Sequence, residues 1–356
     1  MEYRVLGRSG LKVSLITLGT MNFAAEGFFD KVGTVSVKDA RRMVDVAVDH
    51  GVNLLDTSNI YSWGKSEEAL GEILPAHSDQ LLVGTKVRFG MGKGPNEGGL
   101  SRFHIIHECE ASLRRLKRPH IDIYYLHEWD GLTPIEETME ALDTLVKHGK
   151  VRYLACSNFS GWHIMKALMA ADKHGWQRFC CQQIHYSVES RDAENELAPI
   201  ALDQGVGIQV WSPLAGGLLS GKFRKDAPPP QLSRHLNGWG EPPIRDEARL
   251  YRIIDVLVEV GAAHGVPAAQ VALAWLAGRP GVASLIVGAR TESQLKDNLA
   301  GAALVLTAEE RQRLDDVSQP PLLYPYWHQA NTAADRFSAA DLALHLPHIE
   351  SRKARL

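Results

Sequence analysis

Val52-Asn53-Leu54-Leu55-Asp56-Thr57-Ser58-Asn59-Ile60-Tyr61, followed by Ser66-Glu67-Glu68-Ala69-Leu70-Gly71, contains the unit from which this chain is built. A short apolar run, Val52 to Leu55, breaks off into polar residues, and a segment of helical spacing comes next. Short runs that are apolar at successive positions read as strands buried on both faces, the habit of a parallel sheet. Ser66 ahead of Glu67-Glu68 puts acidic side chains in a first helical turn, near the positive end of the helix dipole.

The same rhythm recurs at Leu15 to Leu18, Leu81 to Thr85, Ile121 to Leu126, Val151 to Cys156, Phe179 to Ile184, Gly207 to Val210 and Ser284 to Val287, giving eight runs. Between runs, sets such as Ala40, Met43, Val44, Ala47 and Val48, or Ile135, Met139, Leu142 and Leu145, keep helical period. Thr133-Pro134 supplies a cap with proline at the first helical position. Each helix is the crossover that parallel pairing requires, and eight units are the number that closes a (β/α)8 TIM barrel of about 250 residues. On rhythm alone an open doubly wound sheet competes.

The 356 residues exceed a bare barrel, and three additions account for the surplus. Residues 3–13 are predicted to form a hairpin turning at Arg8-Ser9-Gly10. Residues 221–245 form a long loop broken by Pro228-Pro229-Pro230 and Pro242-Pro243, and an extension runs from about Thr307. The rhythm resumes after the loop, so it reads as an insertion in the seventh βα unit. The expected organisation is one domain over 1–356, with its core at about 14–300 and a C-terminal extension over about 307–356.

Hydrophobic residues at 45% and charged residues at 23% suit a folded core and exclude a disordered chain. Thirty-nine basic residues against 42 acidic ones leave a formal charge of −3 with no long run of either sign, so no nucleic-acid or anionic-membrane footprint is expected. No apolar stretch approaches the ~20 residues of a bilayer span. Met1-Glu2-Tyr3-Arg4 leading into Gly7 and Gly10 predicts no signal peptide. Cys109, Cys156, Cys180 and Cys181 lack metal-type spacing and read as buried thiols of a reducing cytoplasm. The partner expected is therefore a small molecule; oligomeric state leaves no signature.

Active sites of such barrels are built at strand C-terminal ends. There the second strand ends in Asp56 with Tyr61 five residues on, the third in Lys86 and the fourth in His127. Taken singly, Asp56 reads equally as a cap, Tyr61 as a packing residue and His127 as structural; Lys86 at a buried strand end demands a partner. Together they are chemically complementary. A phenol of ordinary pKa near ~10 is a poor proton donor at neutral pH. An ammonium beside it is expected to lower that pKa, with Asp56 holding the ammonium charged, while His127 hydrogen-bonds a carbonyl. Such a cluster suits polarising C=O while hydride arrives at carbon. Gly216 to Lys222 fits a phosphate-binding loop until Phe223 stands where Ser or Thr is needed for magnesium, and Gly90-Met91-Gly92-Lys93-Gly94 opens no helix. The first therefore does not support a nucleotide triphosphatase, and the second, lacking a third correctly spaced glycine, reads as flexible loop.

Leu55 to Tyr61, Gly84-Thr85-Lys86 and Tyr124-Tyr125-Leu126-His127 with Asp130 resemble the signatures of the aldo-keto reductase superfamily. The likeness continues in order over roughly residues 1–320, through Cys156-Ser157-Asn158-Phe159, Gln183 to Ser187, Trp211-Ser212-Pro213-Leu214 and Gly288-Ala289-Arg290-Thr291 to Asn298. The branch looks similar to aryl-alcohol-dehydrogenase-like reductases and potassium-channel β-subunits. The resemblance implies a catalytic tetrad of Asp56, Tyr61, Lys86 and His127, with Tyr61 as general acid, and a nicotinamide dinucleotide bound without a Rossmann fold. By position it implies cofactor contacts from Gly19, Thr20, Met21 and Asp56. Ser157, Asn158 and Gln183 are assigned to the carboxamide and Trp211 to the nicotinamide face. Ser212, Pro213, Leu214, Gly216 and Lys222 fall along the pyrophosphate, and Gln294, Asp297 and Asn298 toward adenine. Gly288 and Arg290 precede a helix near Thr291; a guanidinium at a helix N-terminus is an anion site, which favours NADP(H).

Trp63 and Trp129 are the expected walls of a substrate pocket, with Phe89 and Trp239 left open. The aromatic stretch 324–337 is expected to dock on the barrel, over the pocket mouth or at a subunit contact. The expected activity is reversible NADPH-dependent reduction of an aldehyde or ketone. The alternative is a redox-sensing regulatory protein with little turnover; a metal hydrolase would need clustered ligands that only Asp56 and His127 begin to supply.

Overall fold

In the computed structural model, which describes residues 1–77, 81–228, 230, 234 and 237–353, Tyr3–Val5 (β1) and Lys12–Ser14 (β2) pair antiparallel. Then come the barrel strands Ile16–Gly19 (β3), Leu54–Asp56 (β4), Leu82–Val87 (β5), Ile121–Leu126 (β6), Val151–Ser157 (β7), Phe179–His185 (β8), Gly207–Trp211 (β9) and Val282–Val287 (β10). All eight pair in parallel with their chain neighbours, and β10 pairs back with β3, closing the barrel. The eight apolar runs of the sequence fall on these strands to within two residues at either end. The open-sheet alternative is excluded.

Helices form the outer layer: α1 (Val37–Asp49), α2 (Lys65–Ile73), α3 (Arg102–Leu116), α4 (Ile135–Lys147), α5 (Gly161–His174) and α6 (Leu197–Gln204). After β9 come α7 (Glu247–His264) and α8 (Ala268–Ala277), and after β10 come α9 (Glu292–Ala300), α10 (Ala308–Ser318), α11 (Tyr326–Thr332) and α12 (Ala339–Lys353). Side-chain caps start several of them: Ser36 accepts from the Asp39 N–H, Ser101 from His104, and Thr291 from Gln294. As expected, Glu67 and Glu68 fall in the first turn of α2; its N-cap is Gly64, and the Ser66 hydroxyl inside that turn donates to the Thr20 carbonyl. One expected cap is corrected. Pro134 is itself the N-cap of α4 rather than its first residue, and Thr133 donates to Asp130.

The hairpin plugs the N-terminal end of the barrel. Leu6 and Val13 are buried against Leu54, Ile123, Tyr125, Ala155, Cys180, Cys181 and Ala283, a cluster separate from the main core. Gly7 makes this possible: its φ is +57°, and a Cβ there would overlap the carbonyl of Cys180. All four cysteines are buried and unbridged.

The long insertion lies between β9 and α7, as expected; Pro229 and residues 231–233 and 235–236 fall outside the described residues. A second insertion, between β3 and α1, carries a 3-10 turn over Gly27–Val32. In the C-terminal extension, α12 packs on α6 and α10 on α7. The 324–337 stretch docks on this outer layer beside α5 and α6, where Tyr326 and Gln329 face Trp162 and Ile200. It does not line the cleft at the C-terminal end of the barrel. No single helix among the described residues is long and apolar enough to cross a membrane.

Candidate active site

At the C-terminal end of the barrel a cleft of about 1340 Å³ opens, larger than a drug-sized ligand needs. On its floor, Lys86, next to last in β5, has no solvent exposure and spends its three protons on three acceptors. Nζ donates to Asp56 Oδ1 at 2.7 Å, to the Thr57 carbonyl at 2.8 Å and to the Tyr61 phenol oxygen at 3.3 Å. Asp56 Oδ2 accepts from Gln183 Nε2 at 2.7 Å, so the carboxylate is held by β5 and β8 at once. It caps nothing. The His127 ring lies 5.9 Å from that of Tyr61, nearly perpendicular to it, and its Nδ1 is 3.0 Å from Ser58 Oγ.

Burial pushes Lys86 down, but Asp56 and Tyr61 more than compensate, so it stays an ammonium. For Tyr61 the direction differs from the sequence expectation. Desolvation raises the phenol and outweighs the lowering by Lys86, leaving the net shift upward. Tyr61 is therefore a protonated phenol at neutral pH, whose oxygen already accepts from a cation. Burial, reinforced by Lys86 and Arg88, holds His127 well below its ordinary 6.5, so it is neutral.

The remaining expected residues ring the same cleft. Gly19, Thr20 and Met21 line it after β3, and Ser157 and Asn158 after β7. Trp211, Ser212, Pro213, Leu214, Gly216 and Lys222 line it after β9. Gly288, Arg290, Gln294, Asp297 and Asn298 do so around the start of α9. Asn158 (φ +58°) and Ser212 (φ +50°) turn the chain in left-handed conformation, a strain that non-glycine residues carry mainly at functional sites. The Asn158 amide is engaged on both sides, accepting from Trp211 Nε1 at 2.9 Å and donating to the His127 carbonyl at 3.0 Å. It thereby fixes the indole plane. The Ser157 hydroxyl is buried with no protein partner, a polar group that a ligand amide would satisfy.

Arg290 lies across Gly33, where φ is +86° and a Cβ would meet its Cδ at 2.6 Å. A second cation, which the sequence reading did not single out, enters from the long insertion: Arg234 lines the cleft between Gly288 and Tyr61. Burial and the neighbouring Arg290 push its guanidinium down, and Tyr61 offsets part of this. Arg234 and Arg290 thus bring two positive charges to one cleft. Glu292, the acid nearest Arg290 in sequence, is occupied by Arg42 at 3.1 Å and Lys296 at 2.7 Å. The residues present thus fit a nicotinamide dinucleotide.

The substrate end is aromatic. Trp63 lines it together with Phe89, Trp239, Phe28 and Phe29. The Phe29 ring is 5.9 Å from Tyr61, 5.9 Å from Trp63 and 6.2 Å from Trp239. Phe28 and Phe29 were missed; the signal was the Gly27-Phe28-Phe29 triplet soon after the first barrel strand. Trp129 is corrected: it does not line the cleft but stacks on His163 at 4.0 Å and packs against Phe159 and Trp162. Among the described residues no group of three or more His, Cys, Asp or Glu is placed to hold a metal.

The profile of the aldo/keto reductase family matches residues 15–319. An uncharacterized oxidoreductase of Bacillus subtilis, YrpG, is 36% identical over 333 residues, covering 90% of this chain and 97% of its own. A probable voltage-gated potassium channel subunit beta of Arabidopsis thaliana is 34% identical over 331 residues, with the same two coverages, 90% and 97%. The versiconal hemiacetal acetate reductase of Aspergillus parasiticus is 33% identical over 347 residues, covering 91% of this chain and 99% of its own.

Proposed function

We propose, from the premise that the chain belongs to the aldo/keto reductase family, that it reduces an aldehyde or ketone to the alcohol with NADP(H), Tyr61 acting as general acid. The observation that carries this reading is the Lys86 ammonium bonded at once to Asp56, the Thr57 carbonyl and the Tyr61 oxygen on the floor of a dinucleotide-sized cleft. A bound nicotinamide dinucleotide would supply the hydride. The protein's own residues do the rest.

As negative charge develops on the carbonyl oxygen, the Tyr61 proton moves to it, and the phenolate left behind is stabilised by the Lys86 ammonium. Asp56 keeps that ammonium aimed and charged. His127, neutral, orients the carbonyl by hydrogen bond. Ser157, with Asn158 and Gln183 beside it, would hold the carboxamide, and Trp211 would lie against the nicotinamide ring. Ser212, Leu214, Gly216 and Lys222 would follow the pyrophosphate, and Gln294, Asp297 and Asn298 the adenine. Arg290 and Arg234 would take a 2′-phosphate, which supports NADP(H) over NAD(H). The aromatic walls favour a carbonyl compound with an apolar or aromatic body.

A regulatory reading draws on the potassium channel subunits among the relatives. Oxidation of NADPH and NADH, measured across aromatic aldehydes, aliphatic aldehydes, sugars and ketones, separates the two. Sustained NADPH-dependent turnover of an aromatic or apolar carbonyl is expected; a single stoichiometric oxidation without turnover would favour the regulatory reading.

A further inference from the structure

We infer that Ser58 is a positioning residue for His127: its hydroxyl donates to Nδ1 and so keeps the imidazole's single proton on Nε2, the nitrogen left to face the cleft. This rests on the reading of His127 as the group that orients the carbonyl. Ser58 is wholly buried and does not line the cleft, so its contact with the site runs through the 3.0 Å bond to Nδ1.

Which partner donates across that bond is set by the surroundings. A buried hydroxyl must give its proton somewhere. The acceptors within reach of Ser58 are Nδ1 at 3.0 Å and Asn59 Oδ1 at 3.5 Å, the latter beyond the usual range for O–H···O. The Asn59 amide cannot offer a better approach, because its nitrogen is tied to Glu108 Oε2 at 3.0 Å and Glu108 is in turn paired with Arg115. The backbone holds Ser58 in register: Thr57 N–H donates to the Gly84 carbonyl, Asn59 to Lys86 and Tyr61 to Ser58 itself. His127 is equally fixed, its N–H donating to the Val87 carbonyl and its own carbonyl accepting from Asn158. A neutral ring with Nδ1 accepting must carry its proton on Nε2. With the roles reversed, Nε2 would meet a carbonyl oxygen lone pair to lone pair, and His127 would repel the group it is meant to orient.

The test uses the full chain with nitrogen-15-labelled histidine, the His127 signals being those absent from His127→Gln. In the wild type the Nε2–H tautomer is expected, and the Nδ1–H tautomer would overturn the inference. Ser58→Ala should move the Nδ1 resonance to that of an acceptor without a donor and lower kcat about tenfold, the worth of one such bond. Dinucleotide affinity should stay unchanged. Ser58→Cys, a weaker donor of similar shape, should fall between the two. Unchanged kcat in Ser58→Ala, or a loss matched by weaker dinucleotide binding, refutes a positioning role. If the wild type turns over no carbonyl compound, the functional reading fails, while the nitrogen spectra still decide the tautomer.

Discussion

Replacing Lys86 by Met removes the cation bonded directly to the Tyr61 oxygen and leaves Arg234 as a more distant one. At 3.3 Å, with an effective dielectric of about 20, a full charge on the phenol oxygen interacts with the ammonium by ~5 kcal/mol. A transition state carrying half that charge loses ~2.5 kcal/mol, and complete proton transfer loses the whole. The expected fall in kcat therefore lies between about 10²- and 10³·⁵-fold. Stability falls too, because Asp56 keeps only Gln183 as partner in a buried site; an orphaned charge of this kind costs about 3–5 kcal/mol. Activity and stability are then separated by the double variant Asp56→Asn/Lys86→Met. It should recover much of the lost thermal midpoint without recovering turnover. The assay is steady-state dinucleotide oxidation, read beside thermal unfolding for the wild type, both single variants and the double. A Lys86→Met enzyme within about threefold of wild-type kcat, or a double variant that regains turnover, would refute the electrostatic argument.

Tyr61→Phe should lower kcat by about 10²–10⁴ with dinucleotide binding retained, as followed by quenching of protein fluorescence on titration. Since His127 is held well below 6.5, the profile of kcat/KM for reduction should show no inflection near that pH. Because Tyr61 is shifted upward and must give a proton, the rate should fall only as pH rises beyond the ordinary phenol value of 10.0; an acid limb centred on 6.5 would contradict this. Trp239→Ala should raise KM for an aromatic carbonyl about tenfold through lost apolar contact, whereas Trp129→Ala should leave KM unchanged. Gly7→Ala should destabilise the fold by about 3 kcal/mol, measured by denaturant unfolding, because both φ and space are against it.

Much of the fold and the tetrad is legible in the sequence for a physical reason. Strands buried on both faces are nearly continuous apolar runs, so β6 (Ile121–Leu126) and β8 (Phe179–His185) announce themselves, and the polar residue at the close of each run is a candidate for the functional end. Asp56, Lys86 and His127 are found that way. The residues that escaped depend on three-dimensional paths that spacing does not encode. Arg234 reaches the cleft from an insertion whose route depends on where its aromatic neighbours dock, and Trp239, five residues on, is drawn in by Phe28 and Phe29. Trp129 lies just past a strand end as Trp63 lies past another, yet α5 offers it a closer stacking partner in His163. The direction of the Tyr61 shift departs from expectation because the charge pairing is legible in the sequence and the desolvation is not.

The N-terminal hairpin bears on traffic as well as on folding. With Leu6 and Val13 corking one end of the cylinder and the cleft at the other, a dinucleotide and a carbonyl compound would share one doorway. Whichever is seated deeper has to arrive first and depart last, so the order of binding is a matter of geometry before it is one of affinity.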